Sequence, residues 1–580
     1  MHRQVLPFLF LSAALAPAAA QAPAGPFFGE SAGARLGSAV ERVGDVDNDG
    51  TPDFATGAPF SDETIDIGFP VFVEDAGSVS IYSGDDGQLI WRAQGPLAGE
   101  TEFGAAIANA GDVDWDGRDD VLVGLPSANG LAPGSGSVQL LSGLDGSVIQ
   151  TYFGSQTDER FGASICAGQM DLNIFDFEVA IGAPDHDADG SVGGLLQEGR
   201  VEVFDLFTGT SRAEIVGVPL TKPDASFLFD TWIRRRYGAQ LAYVGDANGT
   251  GYGALVVSAP FTDHIDTTVS GTETHTFAGS VELIEPLSPE ATVFSTLVWT
   301  GNAGDQLGST LAGLADDMNG DGGIDFAFYT PGSNTLEVWA APATKLMQTQ
   351  TVCIDAMVGL ASIGDANMDG TPDLAAGVPE LGSNKGHVCL ISGSDGVMFK
   401  KLYGSVAGSR YGTAVAGRDM DGDGASEIWI GAPFDDSAFP SAGAVDVRSE
   451  FACATPASWT NYGVGTAGTF GVPTLTSINN PVLGAAIGVT LGSVTTGQTK
   501  AVLLLGVQKL ELTILGGTVL VQPFQISNLT LPEAGGTVGF VLPYDPSFCG
   551  VDVYLQALQL NPDAPEGWAF SPGLQLTLGS

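Results

Sequence analysis

Basic residues are scarce in this chain, with 21 Lys and Arg against 68 Asp and Glu and a formal net charge of −47. So negative a surface repels phosphate backbones and anionic headgroups, which excludes nucleic acid or an anionic membrane as the main partner. Histidine is nearly absent: His2, His186, His264, His275 and His387 are the full set, and they show no HExxH or other ligand spacing. No glycine loop of the phosphate-cradling kind precedes a helical pattern. One GxSxG string exists, Gly29-Glu30-Ser31-Ala32-Gly33, but it lacks the strand-to-helix turn and histidine partner that a nucleophile elbow needs. Past the N-terminus no apolar run reaches membrane-spanning length.

Cysteine is limited to five residues, which leaves at least one unpaired. Pairing is not fixed by spacing. Cys453 and Cys549 could staple the C-terminal segment, Cys353 and Cys389 could bridge around the sixth repeat, and Cys166 would then be a buried thiol. The N-terminus carries His2 and Arg3, an apolar run from Leu6 to Leu15, and Ala18-Ala19-Ala20 before Gln21. This is the pattern of a secretory signal over residues 1–20, so export is expected.

What is abundant is glycine, at 81 residues with 32 prolines, among short alternating apolar runs. That combination predicts an all-β protein with frequent tight turns. A hydrophobic content of 44% argues against disorder, and 580 residues exceed one core. Charge divides the chain in two: beyond residue 453, six acids face Lys500 and Lys509, so −43 of the −47 belongs to the first part.

Self-comparison reveals a repeat. Gly44 to Pro59 reads GDVDNDGTPDFATGAP and Gly111 to Pro126 reads GDVDWDGRDDVLVGLP; five further copies end at Pro184, Pro260, Pro331, Pro379 and Pro433. A second apolar strand follows each copy, as in GSVSIYSG from Gly77 and GSVQLLSG from Gly136. Before most copies stands an aromatic or leucine and then glycine: Phe103-Gly104, Phe161-Gly162, Tyr237-Gly238, Leu307-Gly308 and Tyr411-Gly412. The last repeat stops near Val447 without its final strand, while Phe27-Phe28-Gly29 matches the strand that ends other repeats. The N-terminal strand is therefore expected to complete the last repeat and hide a sheet edge.

An FG step, an acidic loop and a GAP step together resemble the FG-GAP repeats of integrin α subunits and of many secreted bacterial proteins, over about residues 27–450. The resemblance implies four-stranded blades, and seven copies then imply a seven-bladed β-propeller over residues 21–450. From residue 451 to 580 the pattern changes to short apolar runs, which predicts a small C-terminal β-sandwich.

The loops follow Asp-x-Asp-x-Asp-Gly-x-x-Asp. Calcium takes six to eight hard oxygens, and alternating acids around a glycine turn bring successive carboxylates together, as in the first half of an EF-hand loop. The complete sets are Asp45, Asp47, Asp49 and Asp53; Asp112, Asp114, Asp116 and Asp120; Asp317, Asn319, Asp321 and Asp325; Asp365, Asn367, Asp369 and Asp373; and Asp419, Asp421, Asp423 and Glu427. Clustered like charges repel unless neutralised, so about five structural Ca²⁺ are expected. Asx turns without metal are the competing reading. The third repeat, Met170 to Glu178, has lost the alternation and is expected to hold no ion. The fourth keeps Asp246, Asn248 and Gly251, but Thr250 and Ala254 replace two acids. Asp185, Asp187 and Asp189 form another acidic string, better explained as a solvated loop.

Segments after the GAP steps are long at residues 60–76, 185–198 and 261–278, and they share a rim with the segments before the FG steps. One of the latter carries Trp232, Arg234, Arg235 and Arg236. Tryptophan and arginine concentrate binding energy, so this group is a candidate partner-binding surface for a protein or glycan; the arginines could equally pair with neighbouring acids. The resemblance implies a secreted or cell-surface, calcium-dependent recognition and adhesion scaffold rather than an enzyme. The alternatives are a secreted polysaccharide hydrolase or lyase using loop carboxylates, and a structural envelope component.

Overall fold

The computed structural model describes residues 4–5, 26–66, 70–96, 100–173, 177–187, 197–217, 220–223, 229–233, 236–247, 249–268, 271–288, 298–314, 316–341, 344–349, 356–367, 369–380, 385–419, 426–450, 457–482, 486–542 and 548–579. Among them the chain is all-β, and the one helical element is a 3₁₀ turn at Pro565–Gly567. Among the described residues no helix is long and apolar enough to cross a membrane. The expected signal segment, residues 1–20, lies almost wholly outside the described residues.

The chain separates into two compact units, residues 19–366 with 370–450, and residues 451–580 with 1–18 and 367–369. In the first, each repeat folds into a four-stranded antiparallel meander. The first sheet is built from Ala39–Gly44, Asp53–Ala58, Ser78–Tyr82 and Leu89–Gln94, and the second from Ile107–Gly111, Asp120–Leu125, Ser137–Leu141 and Val148–Phe153. Seven such sheets occur among the described residues. The last comprises Val415–Arg418, Ser426–Ala432 and Ala444–Glu450, and its fourth strand is Phe27–Phe28, with Phe27 opposite Val445. The N-terminal strand thus completes the last repeat, as the motif match predicts.

Sheets pack face to face, so their second strands are covered on both sides. That is why Asp53–Ala58 and Asp120–Leu125 are buried at every residue and read as continuous small or apolar runs instead of alternating ones. Val43, Ala55, Val79 and Ile81 of the first sheet share a core with Val121 and Val123 of the second. First strands lie beside their successors from repeat to repeat, and Val415–Arg418 of the last lies beside Ala39–Gly44 of the first. At that seam Trp429, fully buried, stacks on Phe54 with ring centroids 4.3 Å apart and on Phe27 at 5.3 Å.

The FG and GAP glycines are explained by backbone approach. Phe161 bridges Gly136, the residue before the third strand of the preceding sheet. A Cβ on Gly136 would meet the Phe161 carbonyl oxygen at 2.2 Å, and its φ is +83°. A Cβ on Gly57, the GAP glycine, would lie 2.0 Å from the oxygen of Gly104, the next FG glycine. The motif is a seam between sheets in which only hydrogen fits.

Two of the long segments after GAP steps contain paired strands. Glu63–Asp66 pairs with Pro70–Val73 after the first. In the fourth repeat, Leu220–Pro223 and Phe229–Ile233 come before the FG step, Asp263–Thr268 and Gly271–His275 come after the GAP step, and the four join in one sheet.

In the second unit, Ser458–Tyr462, Gly573–Thr577, Asp552–Leu560, Thr499–Gly506 and Gln525–Leu531 lie in that order in one sheet, and Leu475–Ser477, Ala486–Leu491 and Gly536–Val541 are consecutive in another. Its core gathers Leu504, Val519, Val521, Tyr554, Leu558 and Phe570. Cys389 and Cys549 are disulfide-bonded, and Cys166 is free. Cys353 and Cys453, their expected partners, lie outside the described residues.

Candidate metal centres

Each acidic loop joins the first and second strands of its sheet, at the end away from the FG and GAP steps. In the first, Asp45 turns back on the loop, its two carboxylate oxygens accepting the N–H of Asp49 at 3.0 Å and of Gly50 at 2.9 Å. Asp47 also accepts from Asp49 N, at 3.1 Å, and Asp49 accepts from Thr51 N at 2.7 Å. The turn requires Asn48 at φ 61° and Gly50 at φ +94°. The second loop repeats this arrangement almost bond for bond: Asp112 takes Asp116 N at 3.0 Å and Gly117 N at 2.9 Å, and Asp116 takes Arg118 N at 3.0 Å. Local Asx-type bonds therefore gather the acids even before any ion is considered.

The result is two convergent oxygen sets. Carboxylate atoms of Asp45, Asp47 and Asp49 lie within 4.8 Å of one another, and so do those of Asp112, Asp114 and Asp116. Burial, followed by the neighbouring Asp49 carboxylate, pushes Asp47 above the ordinary carboxylate range. Three hard anionic oxygen donors at this spacing fit a divalent cation such as Ca²⁺.

The fourth acid stands apart from each trio. Asp53 is fully buried, and its oxygens accept Val46 N at 2.7 Å, Asp47 N at 3.2 Å and, from the third strand's end, Gly84 N at 3.0 Å. Asp120 does the same for Val113 and Gly143, at 2.8 and 2.9 Å. Sequence spacing makes this residue a ligand like the others; the structure also makes it the clamp at the hairpin's base. Burial pushes Asp53 up to about 7 despite those N–H groups, and pushes Asp120 and Asp325 up to about 6. At each of these carboxylates burial outweighs the N–H donors.

The fifth repeat keeps the turn. Asp317 accepts Gly320 N and Gly322 N, both at 2.6 Å, and these bonds with those from Asn319 and Asp321 outweigh burial and hold it below the ordinary range. Asn319 Oδ1 accepts Asp321 N at 2.8 Å, and the buried Asp325 accepts Met318 N at 2.7 Å. In the sixth, Asp365 accepts Gly370 N at 2.8 Å and Asn367 accepts Asp369 N at 2.8 Å, while Asp373 is buried and accepts Gly393 N at 3.2 Å. In the last, Glu427 is buried; Asp421 and Asp423 lie outside the described residues, so the set around Asp419 is incomplete there.

The third repeat departs from this for a reason the motif does not disclose. Glu178 occupies the clamp position and accepts Met170 N at 2.7 Å. Beside it, Arg212 from the fourth strand reaches Asp171 at 2.6 Å, Asp205 at 3.1 Å and Glu178 at 3.9 Å. A guanidinium thus sits among the acids of this repeat. In the fourth repeat Asp246 still accepts Thr250 N and Gly251 N at 3.0 and 2.8 Å, and the Thr250 hydroxyl donates to Glu285 at 3.0 Å; Asn248 lies outside the described residues.

Of the rim residues, Trp232 lies in Phe229–Ile233 opposite Leu220 and His264, and Arg234 and Arg235 lie outside the described residues. Arg236, at φ 58°, pairs through Nε with Asp185 at 3.0 Å, and its guanidinium lies 5.8 Å from the Phe261 ring centre. Asp185 of the acidic string is thus tied to an arginine, and Asp189 lies outside the described residues. Ser31 of the GxSxG string accepts Asp62 N at 3.1 Å.

A seam of FG and GAP glycines beside an aspartate hairpin matches a defined repeat: the family model for the FG-GAP repeat matches residues 42–82. Over about a third of its length or less the chain is similar to integrin α subunits. It is 30% identical to chicken integrin alpha-6 over 167 residues, 27% of this chain and 14% of that protein. It is 29% identical to integrin alpha-4 of Xenopus laevis over 192 residues, 31% of this chain and 17% of that protein, and 31% identical to mouse integrin alpha-8 over 166 residues, 27% and 15%. The match thus spans about one-sixth or less of each relative's length.

Proposed function

We propose that the chain is an exported, calcium-binding recognition and adhesion scaffold. After removal of the signal at residues 1–20, a seven-bladed propeller over residues 21–450 carries about five structural Ca²⁺, and a β-sandwich over residues 451–580 follows. The ligand is a protein or glycan of the cell surface or matrix, met on the rim that the segments around the FG and GAP steps form.

The observation that carries this reading is the duplicated acid trio, Asp45/Asp47/Asp49 and Asp112/Asp114/Asp116, each set within 4.8 Å, in a chain with integrin α-like repeats. Cation binding between first and second strands leaves chemistry at the opposite rim untouched, so the ions would rigidify the ring that presents that rim. The face-to-face sheets and the seam of Phe27, Phe54 and Trp429 support ring closure. Extracellular modules bind Ca²⁺ with Kd on the order of 10⁻⁴ to 10⁻³ M, a range in which extracellular calcium keeps them loaded.

The test is binding of the purified chain to arrays of matrix proteins and surface glycans, with calcium and with EDTA. Calcium-dependent capture of a discrete ligand is expected. No ligand under either condition, with calcium stoichiometry near zero by calorimetry, would overturn the reading.

A further inference from the structure

Arg35, Arg160, Arg236 and Arg410 stand at one position of the repeat frame, immediately before the FG step, each with φ between 55° and 58°. The turn itself does not call for arginine, since Glu102 and Gln306 hold the same position at 57° and 51°. A left-handed backbone is unfavourable for any residue with a Cβ. Placing four of only 21 basic residues there, in a chain of net charge −47, points to a use for the guanidinium.

Three successive repeats bring this position to one cavity. Arg160, Arg236 and Gln306, from the third, fourth and fifth repeats, line a pocket of about 340 Å³ together with Gln240, Phe261 and Ser309. It lies at the FG and GAP end of the sheets, away from the acidic loops. Arg160 is held by Glu102 at 2.9 Å and Arg236 by Asp185 at 3.0 Å, and the two arginine side chains remain 42% and 39% exposed. A guanidinium carries five N–H donors and a bidentate carboxylate takes two, so each head keeps donors for a second anion. The Ser309 hydroxyl oxygen is buried with no hydrogen-bond partner among the described residues, a costly state that a ligand oxygen in the pocket would relieve.

These groups select a class of ligand. Two guanidiniums call for negative charge, and their donors with those of two amides and a hydroxyl outnumber what a lone carboxylate accepts. Amides and a hydroxyl both donate and accept, which suits vicinal sugar hydroxyls, and Phe261 offers an apolar wall to the C–H face of a ring. The volume is at the small end for ligand pockets, room for one ring rather than a length of chain.

We propose that this cavity binds one hexuronate ring of an acidic saccharide, Arg160 and Arg236 taking the carboxylate and Gln240, Gln306 and Ser309 the hydroxyls, an inference that rests on the recognition function proposed above. Exposed charges make the contact, so added salt weakens it.

The test is saturation-transfer NMR on the full chain in calcium, with sodium D-glucuronate, D-glucose and N-acetyl-aspartate amide as separate probes. Transfer to glucuronate is expected, with binding more than about tenfold tighter than glucose, the contribution of charge-assisted bonds, and weakened by NaCl. Arg160→Gln/Arg236→Gln should weaken glucuronate by more than about tenfold, with calcium uptake by calorimetry reporting that the variant is folded. Arg410→Gln, at the same frame position but outside the cavity, should leave glucuronate binding unchanged; an equal loss there overturns the site. So does glucose or the aspartate probe binding as tightly as glucuronate, or no transfer to glucuronate in the unmodified chain, and these readouts do not depend on how variants fold. Calcium-dependent capture of another ligand that glucuronate does not displace overturns the site and leaves the recognition function standing, whereas no ligand of any kind overturns both.

Discussion

Arg212 Nη2 lies 2.6 Å from Asp171 Oδ2, and with that contact the third repeat supplies its own cation. The same guanidinium faces Asp205 at 3.1 Å and the buried clamp residue Glu178 at 3.9 Å. A positive charge carried on the fourth strand thus stands among the acids of this repeat. Arg212→Ala should lower stability by about 1–3 kcal/mol, the usual cost of taking a partner from a buried polar group. Added calcium should not restore it, because the third loop lacks the alternating acids. Urea denaturation with and without calcium measures both; full rescue by calcium would show that the loop binds the ion unaided.

Removal of calcium should loosen the first and second hairpins together. With calcium about tenfold above Kd, each occupied site adds about 1.4 kcal/mol. Asp49→Ala and Asp116→Ala should each lower the stoichiometry by one ion and shrink the EDTA-sensitive part of the melting curve. Asp53→Ala should destabilise the protein even in EDTA, because Asp53 accepts Val46 N, Asp47 N and Gly84 N whether or not an ion is bound. If Asp49→Ala and Asp53→Ala behave alike in EDTA, the separation of trio and clamp is wrong.

Acid sensitivity should originate in a buried pair far from the loops. Arg200 donates from Nε to Glu159 Oε2 at 3.0 Å and from Nη2 to Oε1 at 3.1 Å, and His186 adds a contact at 2.8 Å. Burial works against ionisation of Glu159, but His186 and Arg200 outweigh it and hold the carboxyl down at about 2, from an ordinary 4.5. A depressed carboxylate contributes stability that is complete above pH 4.5 and is lost as pH falls toward about 2. Glu159→Gln should therefore cost about 3 kcal/mol at neutral pH, as removal of one partner of a buried pair does, and flatten the acid limb in that window. An unchanged acid limb would place the sensitivity elsewhere.

The FG and GAP seam should tolerate no side chain. Gly136→Ala combines a Cβ 2.2 Å from the Phe161 oxygen with a φ of +83°, and should cost more than about 2 kcal/mol through strain and displaced backbone. Gly50→Ala carries a similar φ, +94°, but meets nothing within 4 Å, so it should cost only the backbone term of about 1 kcal/mol. Equal losses at the two positions in denaturant titrations would argue against the seam.

Most of the acidic loops was legible because they are local. Asp45, Asp49 and Gly50 are bound to one another within six residues, so spacing alone carries their geometry, and the same holds for Asp112, Asp116 and Gly117. Phe27 was placed from its likeness to the strand that ends other repeats, and its pairing with Val445 bears that out. The segments after the GAP steps were harder. Their short polar alternation suits loop or strand, and only partners such as Val73 for Glu63 decide between them.

The sequence by itself determined the repeat and the acid turns, since each depends on neighbours a few residues apart and recurs in the same frame. Tertiary structure alone decided that Arg212 meets Asp171 across 41 positions and that Asp53 holds the hairpin's base through Gly84. Those relationships follow from burial and strand register, and register is selected by the whole packed sheet and not by any one segment within it.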